Sequence, residues 1–164
     1  MTRPPALPTP VVADPSAVHE RFGGTRADVP ADLLARIADS GAVVDGGDAA
    51  LADAGRDWWP LSIAWAARGM VPARPAAVVR PATTEQVAEV LAACSRAGVP
   101  VTPAGGRSGV CGGAVPVAGG VALDLSALDG VVAVDEVSLL ADVRAGTNGA
   151  EFEAALAGTG SGYT

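Results

Sequence analysis

The chain has 164 residues and a formal charge of −7, and all 11 of its basic residues are arginine. An acidic chain with scattered arginines is a poor partner for nucleic acid. With no lysine, neither a Walker-type phosphate loop nor Schiff-base chemistry is available to it. Hydrophobic residues make up 49% of the sequence, largely alanine and valine, which suits one domain with a packed core of buried strands and small-residue helix contacts.

Residues 1–30 read as a loose arm, with proline at positions 4, 5, 8 and 10. They carry no continuous apolar run after a basic start, so no signal peptide is expected, and no stretch has the length of a membrane span. A soluble cytoplasmic protein is therefore expected. His19, the single histidine, falls in this arm and is read as a solvated residue. A catalytic triad or a histidine metal site then lacks its base or ligands. The two cysteines, Cys94 and Cys111, form neither a disulfide framework nor a CxxC pair.

Residues 31–74 read as a helical segment. Leu33, Leu34 and Ile37 share one face of a helix over 32–40 that Gly41 stops. Val43-Val44-Asp45 is extended and enters a turn, and Leu51–Ala54 suggests a further turn of helix. The segment Arg56-Asp57-Trp58-Trp59-Pro60 brings two tryptophans together. Placed on a helix, they would point to different faces, one anchoring the core and one near the surface, as an aromatic clamp. A helix over 61–67 follows, ended by Gly69 and Pro72.

From Pro75 the pattern sharpens. Ala77-Val78-Val79 reads as a buried strand closed by Pro81. Thr83 and Gln86 fit a capping box. Val87, Val90, Leu91 and Cys94 then fall on one helical face, and Gly98 suits the left-handed residue that ends the helix. Val99–Thr102 returns as a strand, which makes a βαβ unit with parallel strands. Gly120–Leu125 is another strand. Val131–Val134 and Leu139–Val143 form a hairpin around the acidic turn 135–138. Asn148 and Glu151 suggest a second capping box before a helix through Phe152, Ala155 and Leu156, and a glycine-rich end follows.

Between the strand at 99–102 and the one at 120–125 lies a loop with glycine at 105, 106, 109, 112 and 113 and with Arg107 at its centre. Clustered glycines let successive N–H groups converge on an anion, usually a phosphate. Arg107 could add a charged fork, and Cys111 is expected to pack as a small residue. The G-x-G-x-x-G fingerprint fails, and the loop leads into a strand, so no helix N-terminus is available to a pyrophosphate. A glycine-rich surface turn without a ligand remains the competing reading, as does a small phosphate- or nucleotide-binding module.

Residues 75–81, the helix with Glu85 and Val87, Pro100–Gly109 and Val121–Leu125 together resemble the first FAD-binding subdomain of the vanillyl-alcohol oxidase/p-cresol methylhydroxylase family. The likeness covers roughly 56–157. Arg-Asp-Trp-Trp-Pro and Gly-Arg-Ser-Gly-Val-Cys-Gly-Gly look most like the branch of FAD-linked 2-hydroxyacid oxidases and dehydrogenases, which also holds alkyldihydroxyacetone-phosphate synthase. The resemblance implies an α/β (α+β) fold, a helical arm followed by a small mixed sheet. It implies that Pro103, Ala104, Gly105, Gly106, Arg107, Ser108 and Gly109 wrap the FAD pyrophosphate with main-chain N–H groups. Arg107 and Ser108 stand where many relatives carry a flavin-linking histidine, so non-covalent FAD is expected. Gly106→Val is expected to abolish FAD retention, by filling the pyrophosphate's space and by opposing a positive φ. Residues 75–164 would be a partial FAD domain in an N-terminal fragment, completed by a C-terminal half or an oligomeric partner. The family's acid/base residues lie in the missing parts, so no catalytic residue carries over to this sequence. A non-catalytic, partner-dependent remnant is the alternative.

Overall fold

The computed structural model describes residues 26–158, so His19 and the glycine-rich end at 159–164 lie outside the described residues. The elements in chain order are α1 (Ala31–Asp39), β1 (Val43–Asp45), α2 (Asp48–Ala54), α3 (Pro60–Ala66), β2 (Ala77–Arg80) and α4 (Thr84–Ala97). These are followed by β3 (Val101–Ala104), β4 (Val121–Asp124), β5 (Val131–Asp135), β6 (Leu140–Val143) and α5 (Gly149–Gly158).

Four strands form a mixed sheet in the order β1-β2-β4-β3, in which β2, β4 and β3 run parallel and β1 is antiparallel to β2. The expected βαβ unit is present but split. After α4 the chain passes over one strand position to form β3, and β4 later fills the gap. Sequence spacing does not reveal this, because a gap in a sheet is filled by residues that come later in the chain.

Burial explains why the central strands are continuous apolar runs. Adjacent residues in a strand point to opposite faces. Val79, Val121 and Leu123 pack with Leu33 and Ile37 of α1 and with Val90 and Cys94 of α4. Val78 and Ala122 pack on the other side, against Ala54, Ala50 and Leu51 of α2. The sheet is thus covered on both faces. Each fully buried valine or leucine stabilises by about 1.5–3 kcal/mol relative to exposure. A separate cluster of Ala73, Val115, Trp59 and Trp65 sits beside the sheet, with the two indoles edge-to-face at 5.7 Å. The segment 31–74 is therefore built into the same core as the residues after it. Even Ala27, in the expected arm, bridges Gly119, its N–H donating to Ala118 at 2.9 Å.

The helix signals in the sequence act through identifiable bonds. Thr83 Oγ1 accepts from the Gln86 N–H at 3.2 Å, and Gln86 Oε1 accepts from the Ala82 N–H at 2.7 Å. Gln86 Nε2 also donates to the Ser40 carbonyl at 3.2 Å, tying the start of α4 to the end of α1. Gly98 ends α4 at φ +65°.

Four expectations need correction. Leu91 is 44% exposed, because the buried face of α4 is narrowed to Val90 and Cys94. Trp58 and Trp59 precede α3 rather than lie on a helix, since Pro60 occupies its first turn. Asn148 caps α5 through the N–H of Ala150, at 2.9 Å, and not by a reciprocal pair with Glu151. Cys111 is exposed, whereas Cys94 is fully buried and its thiol pKa is pushed up by that burial.

Candidate functional site

The glycine loop leaves the sheet where β3 ends, at the carboxyl edge of the parallel strands. Parallel neighbours require the chain to travel back the length of the sheet before pairing again, usually through a helix. Between Ala104 and Val121 this return is made by a loop alone. Its first part, Gly105–Gly113, starts from the carboxyl edge. Its second part runs back over buried Val115 and Pro116 to Gly120. A connection this long without structure of its own is uncommon and is usually functional. The carboxyl ends of parallel strands are also where open α/β sheets bind their ligands.

The main-chain N–H groups of the first part are uncommitted. The ladder with β4 ends at the Leu125 N–H, which donates to the Ala104 carbonyl at 2.8 Å. Among the described residues, no N–H from Gly105 to Ala114 donates a hydrogen bond. Gly106, Ser108, Gly109, Val110, Cys111 and Gly113 are exposed. A Cβ added at Gly106, Gly109 or Gly113 meets nothing within 4 Å. Gly106 is not left-handed, against expectation. The positive φ in this stretch falls on Arg107, at +52°, and on Gly112, at +79°. Gly112 has its own reason, since a Cβ there would stand 2.9 Å from the Trp59 ring. The loop is further anchored by the Trp58 N–H, which donates to the Gly109 carbonyl at 3.1 Å.

Arg107 does not point its charge outward. Its side chain is 10% exposed, with Nη1 3.6 Å from Asp53 and Nη2 3.6 Å from Asp124. It is one member of an alternating row of charges. Asp45 meets Arg80 at 3.1 Å, Arg80 meets Asp124 at 3.4 Å, and Arg56 meets Asp53 at 3.7 Å. Burial alone would raise the pKa of the Asp124 carboxyl. The hydroxyl and N–H of Ser126, with the positive charges of Arg107 and Arg80, outweigh this and hold it below the ordinary carboxylate range. Sequence reading missed this row. One signal was available, a charged residue closing the otherwise apolar run Val-Ala-Leu-Asp of β4.

Of the expected site residues, Ala104 is buried at the end of β3, Pro103 is exposed beside it, and Gly105–Gly109 form the open turn. Among the described residues no group of His, Cys, Asp or Glu could hold a metal ion, and no helix is long and apolar enough to cross a membrane.

Residues 75–164 match the family described as FAD binding domain. An uncharacterised FAD-linked oxidoreductase of Mycobacterium tuberculosis is 41% identical over 93 residues, which is 57% of this chain and 20% of that protein. D-lactate dehydrogenase of Anaerostipes hadrus is 36% identical over 74 residues, 45% of this chain and 16% of that protein. A glycolate oxidase subunit of Bacillus subtilis is 35% identical over 72 residues, 44% and 15% respectively. The chain thus corresponds to a fifth or less of these relatives. The structure of an alkyldihydroxyacetonephosphate synthase superposes over 83% of this chain and 26% of its own, with a TM-score of 0.70 and 21% identity. For p-cresol methylhydroxylase the values are 83%, 27%, 0.60 and 18%. These two share its mixed α/β fold, and by the match over its C-terminal 90 residues the chain belongs to the FAD binding domain family.

Proposed function

We propose that this chain is the diphosphate-gripping part of an FAD-dependent oxidoreductase acting on a 2-hydroxyacid. The observation that carries the reading is the run of unused N–H groups from Gly105 to Ala114, in the loop that starts where β3 ends. Main-chain donors suit a diphosphate held without lysine, and they tolerate an acidic protein. In this proposal Pro103 and Ala104 set the direction in which the chain leaves β3. Gly105, Gly106, Arg107, Ser108 and Gly109 then offer their N–H groups to the diphosphate. The open space beside Gly106 and Gly109 is where a close-lying guest fits. When bound, FAD supplies a two-electron acceptor for a hydride from the α-carbon of the acid. The relatives named for D-lactate and glycolate favour a hydroxyacid over the substrate of the alkyl synthase, whose likeness is one of fold.

The proposal includes non-covalent attachment, since no histidine or lysine lies in the loop. It also includes a cytoplasmic setting and completion of the site by further flavin-domain sequence or by a partner subunit. No described side chain is assigned to the substrate's proton. The test is to purify the chain, titrate it with FAD by quenching of flavin fluorescence, and denature the complex. Uptake of FAD, with all flavin released into the supernatant, is the expected result. A chain that takes up ATP or NAD but no FAD would refute the reading, and flavin left on the denatured protein would refute non-covalent attachment.

A further inference from the structure

Arg107 is held in a conformation that arginine avoids. Its φ of +52° lies in the left-handed region, and strained residues of this kind persist only where their surroundings over-determine them. Here the surroundings are two carboxylates from different elements. Asp53 lies on α2, which covers one face of the sheet, and Asp124 closes β4. The guanidinium stands 3.6 Å from each. At 3.6 Å these contacts are ones of charge rather than hydrogen bonds, and the Nε of the nearly buried guanidinium has no hydrogen-bond partner. Each carboxylate is shared with a second arginine, Asp53 with Arg56 and Asp124 with Arg80.

We propose that Arg107 is a positioning residue for the diphosphate. Clamped between Asp53 and Asp124, it keeps its own backbone left-handed and thereby fixes where the neighbouring N–H groups of Gly105, Gly106, Ser108 and Gly109 point. This rests on the reading of the loop as a diphosphate cradle. Donors fixed in advance need little further ordering when the guest arrives, which strengthens binding without any new contact. The guanidinium itself does not touch the guest. Neutralising Asp53 therefore has opposite consequences under the two possible roles. If Arg107 positions the loop, loss of Asp53 loosens the clamp and weakens FAD binding. If Arg107 bonded the phosphate directly, loss of a competing carboxylate would free the guanidinium and tighten binding.

Two variants of the 164-residue chain test this. Arg107→Gly keeps easy access to the left-handed backbone while deleting the clamp. Asp53→Asn keeps the side chain's shape at a position 33% exposed, so it serves even if the first variant fails to fold. Without ligand, backbone NMR order parameters over 105–113 are expected to fall from about 0.85 to below about 0.6 in both, while those of β2 and α4 stay unchanged. FAD affinity is expected to fall about tenfold. Arg107→Lys should recover part of both, because an ammonium keeps the positive charge but lacks the planar fork that offers a separate nitrogen to each carboxylate. Unchanged loop order parameters in both variants would overturn the proposal, as would an Asp53→Asn chain binding FAD as tightly as the wild type or tighter. A wild-type chain that takes up no FAD counts against the proposed function alone, and the order parameters then decide the clamp by themselves.

Discussion

Replacing single glycines separates what the fold demands of the loop from what its guest demands. Gly106 is not left-handed, and a Cβ there meets nothing within 4 Å. Folding has no need of glycine at this position. Alanine is expected to leave stability unchanged or to raise it by about 0.4–1 kcal/mol, by restricting the unfolded chain. FAD binding is nevertheless expected to weaken, because the new methyl group stands in the space assigned to the diphosphate, and valine should abolish it. Gly120 gives the converse case. Its φ is +66°, and a Cβ there would overlap the Pro100 carbonyl, whose oxygen accepts from the Val121 N–H at 2.9 Å. Alanine at 120 costs about 1–2 kcal/mol for the left-handed backbone and about 1 kcal/mol for the displaced hydrogen bond. At about 2–4 °C per kcal/mol for a chain of this size, the melting temperature should drop by about 4–12 °C. Thermal melts of both variants beside the wild type, followed by FAD titration, read the two effects apart. A Gly106→Ala chain that binds FAD with wild-type affinity would remove the loop from the site. One that melts as early as Gly120→Ala would show that the turn itself, and not the guest, requires glycine.

Two further outcomes follow from the geometry. Thr83→Ala removes the side-chain oxygen that caps α4 and is expected to cost about 1 kcal/mol, read as a lower urea midpoint with unchanged m. Asp124 has a folded pKa below its unfolded value, so its contribution is complete above about pH 4 and is lost as pH falls through the depressed value. The gap in urea midpoint between wild type and Asp124→Asn should therefore be widest near neutrality and close below about pH 4. A gap that does not change with pH would show that the ionised Asp124 carboxylate, with its bonds from Ser126 and its contacts with Arg107 and Arg80, does not stabilise the fold.

Local chemistry was enough to place most of the elements. Thr83, Gln86 and Gly98 bound α4 because caps act within one turn of helix. Val78-Val79 and Val121–Leu123 announce strands buried on both faces because no polar residue interrupts them. The same locality explains the glycine loop, whose lack of lysine and whose exit into a strand already excluded the helix-based phosphate sites. Leu91 could not be placed, since helical spacing defines a face but not how much of it a neighbouring α1 covers.

What the sequence determined by itself was the set of elements, the position of the loop between two strands and the absence of lysine from any anion site. Only the tertiary structure decided that β4 enters between β2 and β3, and that Arg107 turns inward between Asp53 and Asp124. The physical reason is range. Caps, turns and periodicity are settled by residues within a few positions, whereas an arginine's direction depends on which carboxylates, distant in sequence, the folded sheet carries to its side.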